Sequence, residues 1–276
     1  MNLININKTK IIAALQPVLG VVERRNSLPI LLNVLIKKEQ NKLFFTTSDI
    51  ELQMTSVLSL SKNTVENNDS IFTVSARKLF DICKSLSTEP KINIALNQDK
   101  LIIKQNKTKF SIQTLPAKDF PIIELQKDEI FNLRLETKSF KALIDTVAFS
   151  MAIQDVRYYL NGLYLEVKSD SIVAVTTDGH RLSINKIDLQ QENLEKTVSL
   201  IIPRKAIIEL QKGLQSANSG LINISVTGNF LTVKSEDKVM VSKLIEGNYP
   251  DFTKVVPESS ELNLNFQREE LLEKLT

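Results

Sequence analysis

The stretch that decides the fold begins with Asp155-Val156-Arg157-Tyr158-Tyr159-Leu160-Asn161-Gly162 and ends with Thr176-Thr177-Asp178-Gly179-His180-Arg181-Leu182. Between these ends, apolar residues alternate with polar ones, which predicts two β-strands joined by a polar turn at 168–171. Asp178-Gly179 is a turn signal, because glycine tolerates a positive φ and aspartate can bond its own backbone. The stretch therefore predicts a sheet corner where apolar and cationic side chains meet, which is typical of a docking place rather than of a reaction site.

The composition is that of an ordinary globular protein. The chain has 276 residues, of which 42% are hydrophobic and 24% charged, enough for about two domains. No apolar run approaches the roughly 18 residues of a membrane span, and residues 1–10 lack the apolar core of a secretory signal. The single cysteine, Cys83, excludes an internal disulfide and lies on an apolar helical stripe, so we expect a core thiol and a cytoplasmic protein.

The sequence offers little for catalysis. His180 is the only histidine, and with Asp178 beside it and Ser183 nearby a small hydrolase is one hypothesis. However, there is no nucleophile elbow, no metal-ligand cluster and no phosphate-binding glycine loop. We therefore predict no catalytic residue, no metal and no cofactor. The net charge of +3 does not by itself identify a nucleic-acid-binding protein.

The chain contains an internal repeat. The order strand–helix–strand–strand–strand recurs, and Thr47-Ser48-Asp49 and Phe120-Pro121 reappear as Thr176-Thr177-Asp178 and Tyr249-Pro250. A period of roughly 128 to 130 residues indicates repeated domains rather than a solenoid. We predict domains at 1–126 and 127–256, with 257–276 as the start of a third copy.

Three local features refine the predicted helices. Pro17 lies inside a predicted helix at 8–22, where proline predicts a kink or a break. Ser75 and Thr137 are predicted to cap the helices that follow them. Pro203 is predicted to occupy the first position of a helix, which is a favoured place for proline.

Many ordered segments together resemble one family. They lie at 27–33, 77–83, 154–162, 177–182, 203–210 and 247–257, and the chain resembles the bacterial DNA polymerase III β subunits, the β sliding clamps, along nearly its whole length. The resemblance implies an α+β fold of tandem clamp domains, each built from two β-α-β-β-β units with helices on one face of antiparallel sheets. It also implies a non-catalytic holoenzyme subunit, with three domains per subunit and two subunits in a head-to-tail ring around duplex DNA.

The resemblance implies two kinds of site. The first would contact DNA phosphates without recognising bases, which suits sliding, at Arg25, Arg77, Lys78, Gln154, Tyr158, Tyr159, Arg204 and Lys205. The second would be an apolar groove for short peptides of the polymerase III catalytic subunit, the clamp loader and other clamp-binding proteins. Its residues would be Leu160, Thr177, Gly179, His180, Arg181, Leu182, Pro250, Lys254 and Val255.

Two departures from the family matter. Lys254 stands where the family usually has arginine, which puts a planar two-point contact in doubt. The family's third domain, which supplies one groove wall and one ring edge, is almost wholly missing, so we expect weakened peptide binding and sheet edges left exposed. The leading hypothesis is therefore a DNA-encircling processivity factor. The alternative is an adaptor that docks replication proteins without closing a ring.

Overall fold

The computed structural model describes most of the chain, namely residues 2–23, 27–60, 69–87, 91–125, 129–189, 197–215, 220–257 and 264–275. One order of elements, strand–helix–strand–strand–strand, occurs four times in these residues. The first unit comprises β1 (Asn2–Asn7), α1 (Lys8–Val18), β2 (Asn33–Glu39), β3 (Lys42–Ser48) and β4 (Leu52–Ser59). The second comprises β5 (Ser70–Ser75), α2 (Ala76–Ser85), β6 (Lys91–Asn97), β7 (Lys100–Gln105) and β8 (Thr108–Leu115).

The second half of the chain repeats this order. Its third unit comprises β9 (Glu129–Glu136), α3 (Thr137–Asp145), β10 (Gly162–Val167), β11 (Ser171–Thr177) and β12 (Leu182–Asp188). The fourth unit comprises β13 (Val198–Pro203), α4 (Arg204–Gln215), β14 (Leu221–Thr227), β15 (Phe230–Lys234) and β16 (Lys238–Lys243), and α5 (Arg268–Leu275) follows. The predicted α+β fold of helices and antiparallel sheets is confirmed.

The units are interlocked by strand exchange. β1 pairs with β6 and β5 pairs with β2, so the first strand of each unit lies beside the second strand of its neighbour. β9 with β14 and β13 with β10 repeat this exchange. All these pairs are antiparallel, and the buried residues of both halves form one hydrophobic cluster. Because each sheet needs strands from two units, we expect neither unit of a pair to be stable alone.

A strand pair joins the two halves. β4 pairs with β16, with Met54 opposite Met240, and this pairing completes a sheet of the order β1-β6-β7-β8-β5-β2-β3-β4-β16-β15-β14-β9. The remaining strands form a sheet of the order β12-β11-β10-β13. The division into domains at 126 and 256 stays a prediction.

The first four helices form a continuous row. α1 packs against α2 and against α4, and α4 packs against α3. Each helix buries one apolar stripe, as α2 does with Ala76, Leu79 and Cys83 at positions i, i+3 and i+7. The opposite side of the row stays exposed and carries cations, including Lys10, Lys78, Lys84 and Lys138. The predicted burial of Cys83 is confirmed.

The local predictions at the helix ends have mixed outcomes. α1 ends at Val18, so Pro17 lies in its last turn and breaks no long helix. Ser75 is the N-cap residue of α2, as predicted, but its side chain makes no capping hydrogen bond. Thr137 is the first residue of α3 rather than its cap, and its hydroxyl donates to Gly220 O. Pro203 is the last residue of β13, and α4 begins one residue later.

Two further observations concern the described residues only. No helix among them is long and apolar enough to span a membrane. The residues of α5 are all exposed, and the preceding Leu264 and Phe266 lie outside any described strand.

Candidate functional site

A closed loop connects the helical row to the sheet corner. The loop, residues 151–161, follows α3 and leads into β10. Ala152 N donates to Leu160 O at 3.1 Å, which closes its base. Asn161 then closes the interior of the loop with two bonds, since Asp155 N donates to its Oδ1 at 2.9 Å and its Nδ2 donates to Asp155 O at 2.8 Å. Loop 151–161 is therefore fixed by its own hydrogen bonds although its tip is exposed.

Three predicted DNA contacts lie on this loop. Gln154 is exposed and has a φ of 55°, a left-handed conformation that is uncommon for glutamine. The rings of Tyr158 and Tyr159 meet edge to face, with centroids 5.7 Å apart. Tyr158 is 58% exposed, whereas Tyr159 is half-buried. Gln154 and Tyr158 are thus accessible, and Tyr159 supports its neighbour.

The two predicted arginines begin helices and donate to carbonyls. Arg77 is exposed near the start of α2, and its Nη2 donates to Val22 O at 2.8 Å. Arg204 is half-buried at the start of α4, and its Nη1 donates to Met151 O at 3.1 Å. Each guanidinium has further N–H groups that can donate to other acceptors.

The two predicted lysines differ in environment. Lys78 is exposed on α2. Lys205 forms an ion pair with Asp49 and lies 3.1 Å from Glu23 Oε1, so two carboxylates of the first half contact its ammonium. Burial alone would lower the pKa of Lys205, but its hydrogen bonds to these carboxylates outweigh burial and raise that pKa. Lys205 therefore joins the two halves. Its ammonium group stays charged, and the two carboxylates largely compensate that charge. Arg25 lies outside the described residues.

The predicted groove corner is a capped turn between β11 and β12. Asp178 Oδ1 accepts from the backbone N–H groups of His180 and Arg181, and its Oδ2 accepts from Arg181 Nε, each at 3.0 Å. These bonds, first that from the His180 backbone, lower the pKa of Asp178. Gly179 provides the positive φ of 89° that the turn requires. Because the Asp178 carboxylate caps the turn, it is not positioned as the acid–base partner of His180 that the hydrolase hypothesis needs.

Arg157 belongs to this corner, although the sequence analysis did not single it out. Its guanidinium donates to both carboxylate oxygens of Asp155, at 3.0 and 2.8 Å. Hydrogen bonds from Arg157 lower the pKa of Asp155 to about 2. A Cβ on Gly179 would lie only 2.9 Å from Arg157 Nη2, so the guanidinium covers the turn directly. The D-x-R spacing beside the tyrosines is the sequence signal for this pair.

An aromatic stack supports the segment at 247–252, which is the third segment of the predicted groove after loop 151–161 and the turn at 177–182. The Tyr164 and Tyr249 rings are stacked with centroids 4.8 Å apart, and the Phe252 ring centroid lies 6.0 Å from that of Tyr164. Burial raises the pKa of Tyr249. Gly247, with a φ of 142°, approaches Tyr158 so closely that a Cβ would lie 3.2 Å from its hydroxyl. The segment at 247–252 therefore contacts loop 151–161 on one side and β10 on the other.

The structure brings most of the predicted groove residues together. Loop 151–161 contacts the turn through Arg157 and Gly179 and contacts the third segment through Tyr158 and Gly247. The exposure of the predicted residues differs: Leu160 is buried, Thr177 and Leu182 are half-buried, and the exposed ones are Gly179, His180, Arg181, Pro250, Lys254 and Val255. Lys254 forms its ion pair with Asp251, at 3.3 Å, within its own segment.

In the part of the chain that the structure describes, no group of three or more histidine, cysteine, aspartate or glutamate side chains is placed to hold a metal ion. The residues at the corner are instead a mixture of backbone donors, exposed cations and apolar surface. Arg181, for example, lies over the exposed ring of Phe149, with 5.7 Å between its Cζ and the ring centroid. Such a surface can bind a segment of chain but offers no activated nucleophile.

Comparisons with known proteins agree along the chain. Family models match it in two places: "DNA polymerase III beta subunit, N-terminal domain" at residues 1–124 and "DNA polymerase III beta subunit, central domain" at residues 134–251. The beta sliding clamp of Pseudomonas aeruginosa is 37% identical over 268 residues, which are 97% of this chain and 71% of that protein. The beta sliding clamp of Escherichia coli is 33% identical over 259 residues, 94% of this chain and 69% of that protein.

Solved structures give the same result. The DNA polymerase III subunit beta of Pseudomonas aeruginosa superposes with a TM-score of 0.87 at 36% identity, covering 95% of this chain and 69% of that chain. The pol III beta of Caulobacter crescentus superposes with a TM-score of 0.84 at 28% identity, covering 94% of this chain and 70% of that chain.

Proposed function

Because the chain belongs to the DNA polymerase III beta subunit family, the beta sliding clamps, we propose that it is a DNA sliding clamp. It does no chemistry of its own. It encircles duplex DNA as part of a ring and tethers the replicative polymerase, so that repeated bimolecular encounters become local ones. We further propose that it acts in the cytoplasm as a subunit of the polymerase III holoenzyme.

One observation supports this function above the others: the continuous row of four helices with exposed cations. The row combines helices of both halves, and its exposed side carries Lys10, Lys78, Lys84 and Lys138. Flexible ammonium groups contact phosphates without directional bonds to bases, so binding is independent of sequence and weakens with salt. Such a surface retains DNA while allowing it to slide.

The DNA contacts proposed for this chain follow from exposure. Lys78, Arg77, Gln154 and Tyr158 are exposed and remain the strongest proposals. Lys205 is a weaker one, since Asp49 and Glu23 already contact its ammonium. Arg25 is proposed from the family resemblance alone.

A second surface serves partner proteins. We propose that clamp-binding peptides of the polymerase III catalytic subunit, the clamp loader and other replication proteins dock at the corner formed by loop 151–161, the turn at 177–182 and the segment at 247–255. Apolar anchors of such a peptide would pack near Leu160 and Leu182, while Arg181 and exposed backbone groups of the turn would contact its polar atoms.

The test for ring function is topological. The chain is assembled with a clamp loader on nicked circular DNA, and retention is measured by gel filtration before and after linearisation. A sliding clamp stays on the circle and leaves the linear molecule. Equal retention on both forms contradicts the proposal, and binding of a labelled clamp-binding peptide without any retention on the circle supports the adaptor instead.

The test for the groove is a titration with a labelled clamp-binding peptide. We expect Arg181→Glu to weaken binding at least about tenfold, the cost of one charged contact near a docking site. Lys107→Glu, at the exposed turn between β7 and β8, is the matched control with the same change in charge. Equal peptide affinity of the Arg181 variant and the control argues against this docking surface.

A further inference from the structure

Arg204 contacts both ends of loop 151–161. Its backbone N–H donates to Asn161 O at 3.0 Å, and its guanidinium Nη1 donates to Met151 O at 3.1 Å. The side chain of Met151 is buried, and so is that of Leu160 beside Asn161. One residue at the first position of α4 therefore fixes the distance between the two ends of the loop.

The same bond occurs in the first half of the chain. Arg77, near the start of α2, donates from Nη2 to Val22 O at 2.8 Å. Val22 follows the end of α1, as Met151 follows the short 3-10 turn Ala148–Ser150 after α3. Both arginines thus connect the start of the second helix of a half to the chain that leaves its first helix. Because two copies of the fold form this bond independently, it is a feature of the fold rather than a chance surface contact.

Arginine suits this role better than lysine does. A guanidinium presents five N–H donors in a rigid fork, so one can bind a carbonyl while the others remain in solvent. The acceptors lie where helical segments end, where carbonyls lack intrahelical partners and attract cations. A lysine could supply the charge but not this geometry.

Loop 151–161 needs such support because part of its backbone is unfavourable. Gln154 has a φ of 55°, which costs free energy for any residue with a Cβ. Val156 is 95% exposed and Ile153 is 71% exposed, so packing at the tip contributes little. The order of the tip therefore depends on hydrogen bonds, both those that Asp155 makes within the loop and those at its base.

We propose that Arg204 is a positioning residue for DNA binding: its guanidinium keeps loop 151–161 in the conformation that presents Gln154 and Tyr158. The sequence resemblance implied a direct phosphate contact instead. The part of the proposal that concerns DNA rests on the proposed function, whereas the contact between Arg204 and the loop does not. Arg77 orders the chain after α1 in the same way.

Arg204→Lys distinguishes a positioning role from a role of the charge alone, because lysine keeps the positive charge but lacks the forked N–H donors of the guanidinium. Two measurements are made on the full chain: hydrogen exchange of loop 151–161 without DNA, and binding of a fluorescent duplex as a function of salt. We expect exchange at the loop amides to become about tenfold faster or more, as the removal of a charge-assisted hydrogen bond implies. We expect duplex affinity to fall while the slope of log affinity against log salt stays unchanged, since the same number of phosphates is neutralised.

Controls make the outcomes distinct. Lys107→Gln removes a charge far from the loop and should leave exchange unchanged. Arg77→Lys should accelerate exchange at residues 19–23 but not at 151–161, which excludes general unfolding. Loop exchange in Arg204→Lys as slow as in the parent overturns the proposal. A second variant, Arg204→Gln, removes the charge. If its duplex affinity is weaker and its slope of log affinity against log salt is lower by about 0.9, Arg204 neutralises one phosphate directly, and the proposal is overturned as well. If the parent binds no duplex but the exchange result holds, the proposed function fails and the positioning contact stands.

Discussion

Gly20 lies close to Glu209 of the other half, and we expect Gly20→Ala to destabilise the protein. Gly20 follows α1, which packs against α4. A Cβ on Gly20 would lie 1.7 Å from Glu209 Oε2, 2.2 Å from its Cδ and 2.5 Å from its Oε1. These distances are far below van der Waals contact, so the Glu209 carboxylate must move if the methyl group is added.

The cost follows from the surroundings of Glu209. Its side chain is only 5% exposed, and its Oε1 accepts from Lys212 Nζ at 2.6 Å. The adjoining cavity is lined mainly by apolar groups such as Met54, Leu214 and Met240, so a carboxylate displaced to that side is poorly solvated. Breaking a buried pair costs about 3–5 kcal/mol. Because Lys212 is 58% exposed and water screens it, we expect about 1–3 kcal/mol here.

Urea unfolding of a double-mutant cycle measures this effect. Gly20→Ala should lower the free energy of unfolding in the parent but little in Glu209→Ala, where the colliding group is gone. Gly213→Ala is the matched control, since a Cβ there meets nothing within 4 Å, and within a helix alanine is favoured over glycine. A parent-like midpoint for Gly20→Ala, or an equal decrease in both backgrounds, would refute the reasoning.

Three further predictions concern single sites. Gly179→Ala places a Cβ on a residue with a positive φ and only 2.9 Å from Arg157 Nη2. We therefore expect the free energy of unfolding, measured in urea, to decrease by about 1–2 kcal/mol, and an unchanged unfolding midpoint contradicts this. The raised pKa of Lys205 means that its contribution to stability is complete below its ordinary pKa and is lost as pH rises through the raised value. Asp49→Asn should therefore cost about 1 kcal/mol of the free energy of unfolding at pH 7, discounted for exposure, and less once the pH rises through the raised pKa of Lys205; a pH-independent difference contradicts this. Burial raises the pKa of Cys83 to about 12, and Lys8 opposes this only partly, so labelling by a thiol reagent should follow global unfolding; fast labelling of the native protein contradicts this.

The element order could be predicted because its signals are local. Alternation along β10 and β11 and the apolar stripe of α2 depend on neighbouring residues, and so does the turn at Asp178. Helix ends were less predictable. Thr137 and Pro203 carry the right chemistry for helix starts, but α3 begins at Thr137 itself and β13 extends through Pro203, so both predictions missed the helix start by one residue.

The sequence predicted a position for the candidate site but not the contacts that its residues make. The family resemblance predicted residues for the corner, and these stay a prediction, whereas the partners of the cations lie far away in sequence. Lys205 contacts Glu23 and Asp49, which are 182 and 156 residues distant, and Arg204 contacts Met151 across 53 residues. Such contacts depend on how α4 packs against α1 and α3, which no local pattern specifies. The basic helix starts therefore did not reveal these intramolecular bonds, and the phosphate contacts of the same cations stay a prediction.

The measurement that tests the central claim most directly is duplex binding by charge-reversal variants on the two sides of the molecule. Lys78→Glu and Lys84→Glu lie on the exposed side of the helical row, and Lys107→Glu at a turn between strands carries the same change in charge. Anisotropy titrations with several unrelated duplex sequences across a salt series would compare them. We predict that the two helix variants weaken binding to every duplex and lower the salt slope by about 0.9 for each phosphate that is no longer neutralised, while the turn variant matches the parent. Equal effects of all three variants, or an effect that depends on the duplex sequence, would contradict a helical row that binds phosphates alone.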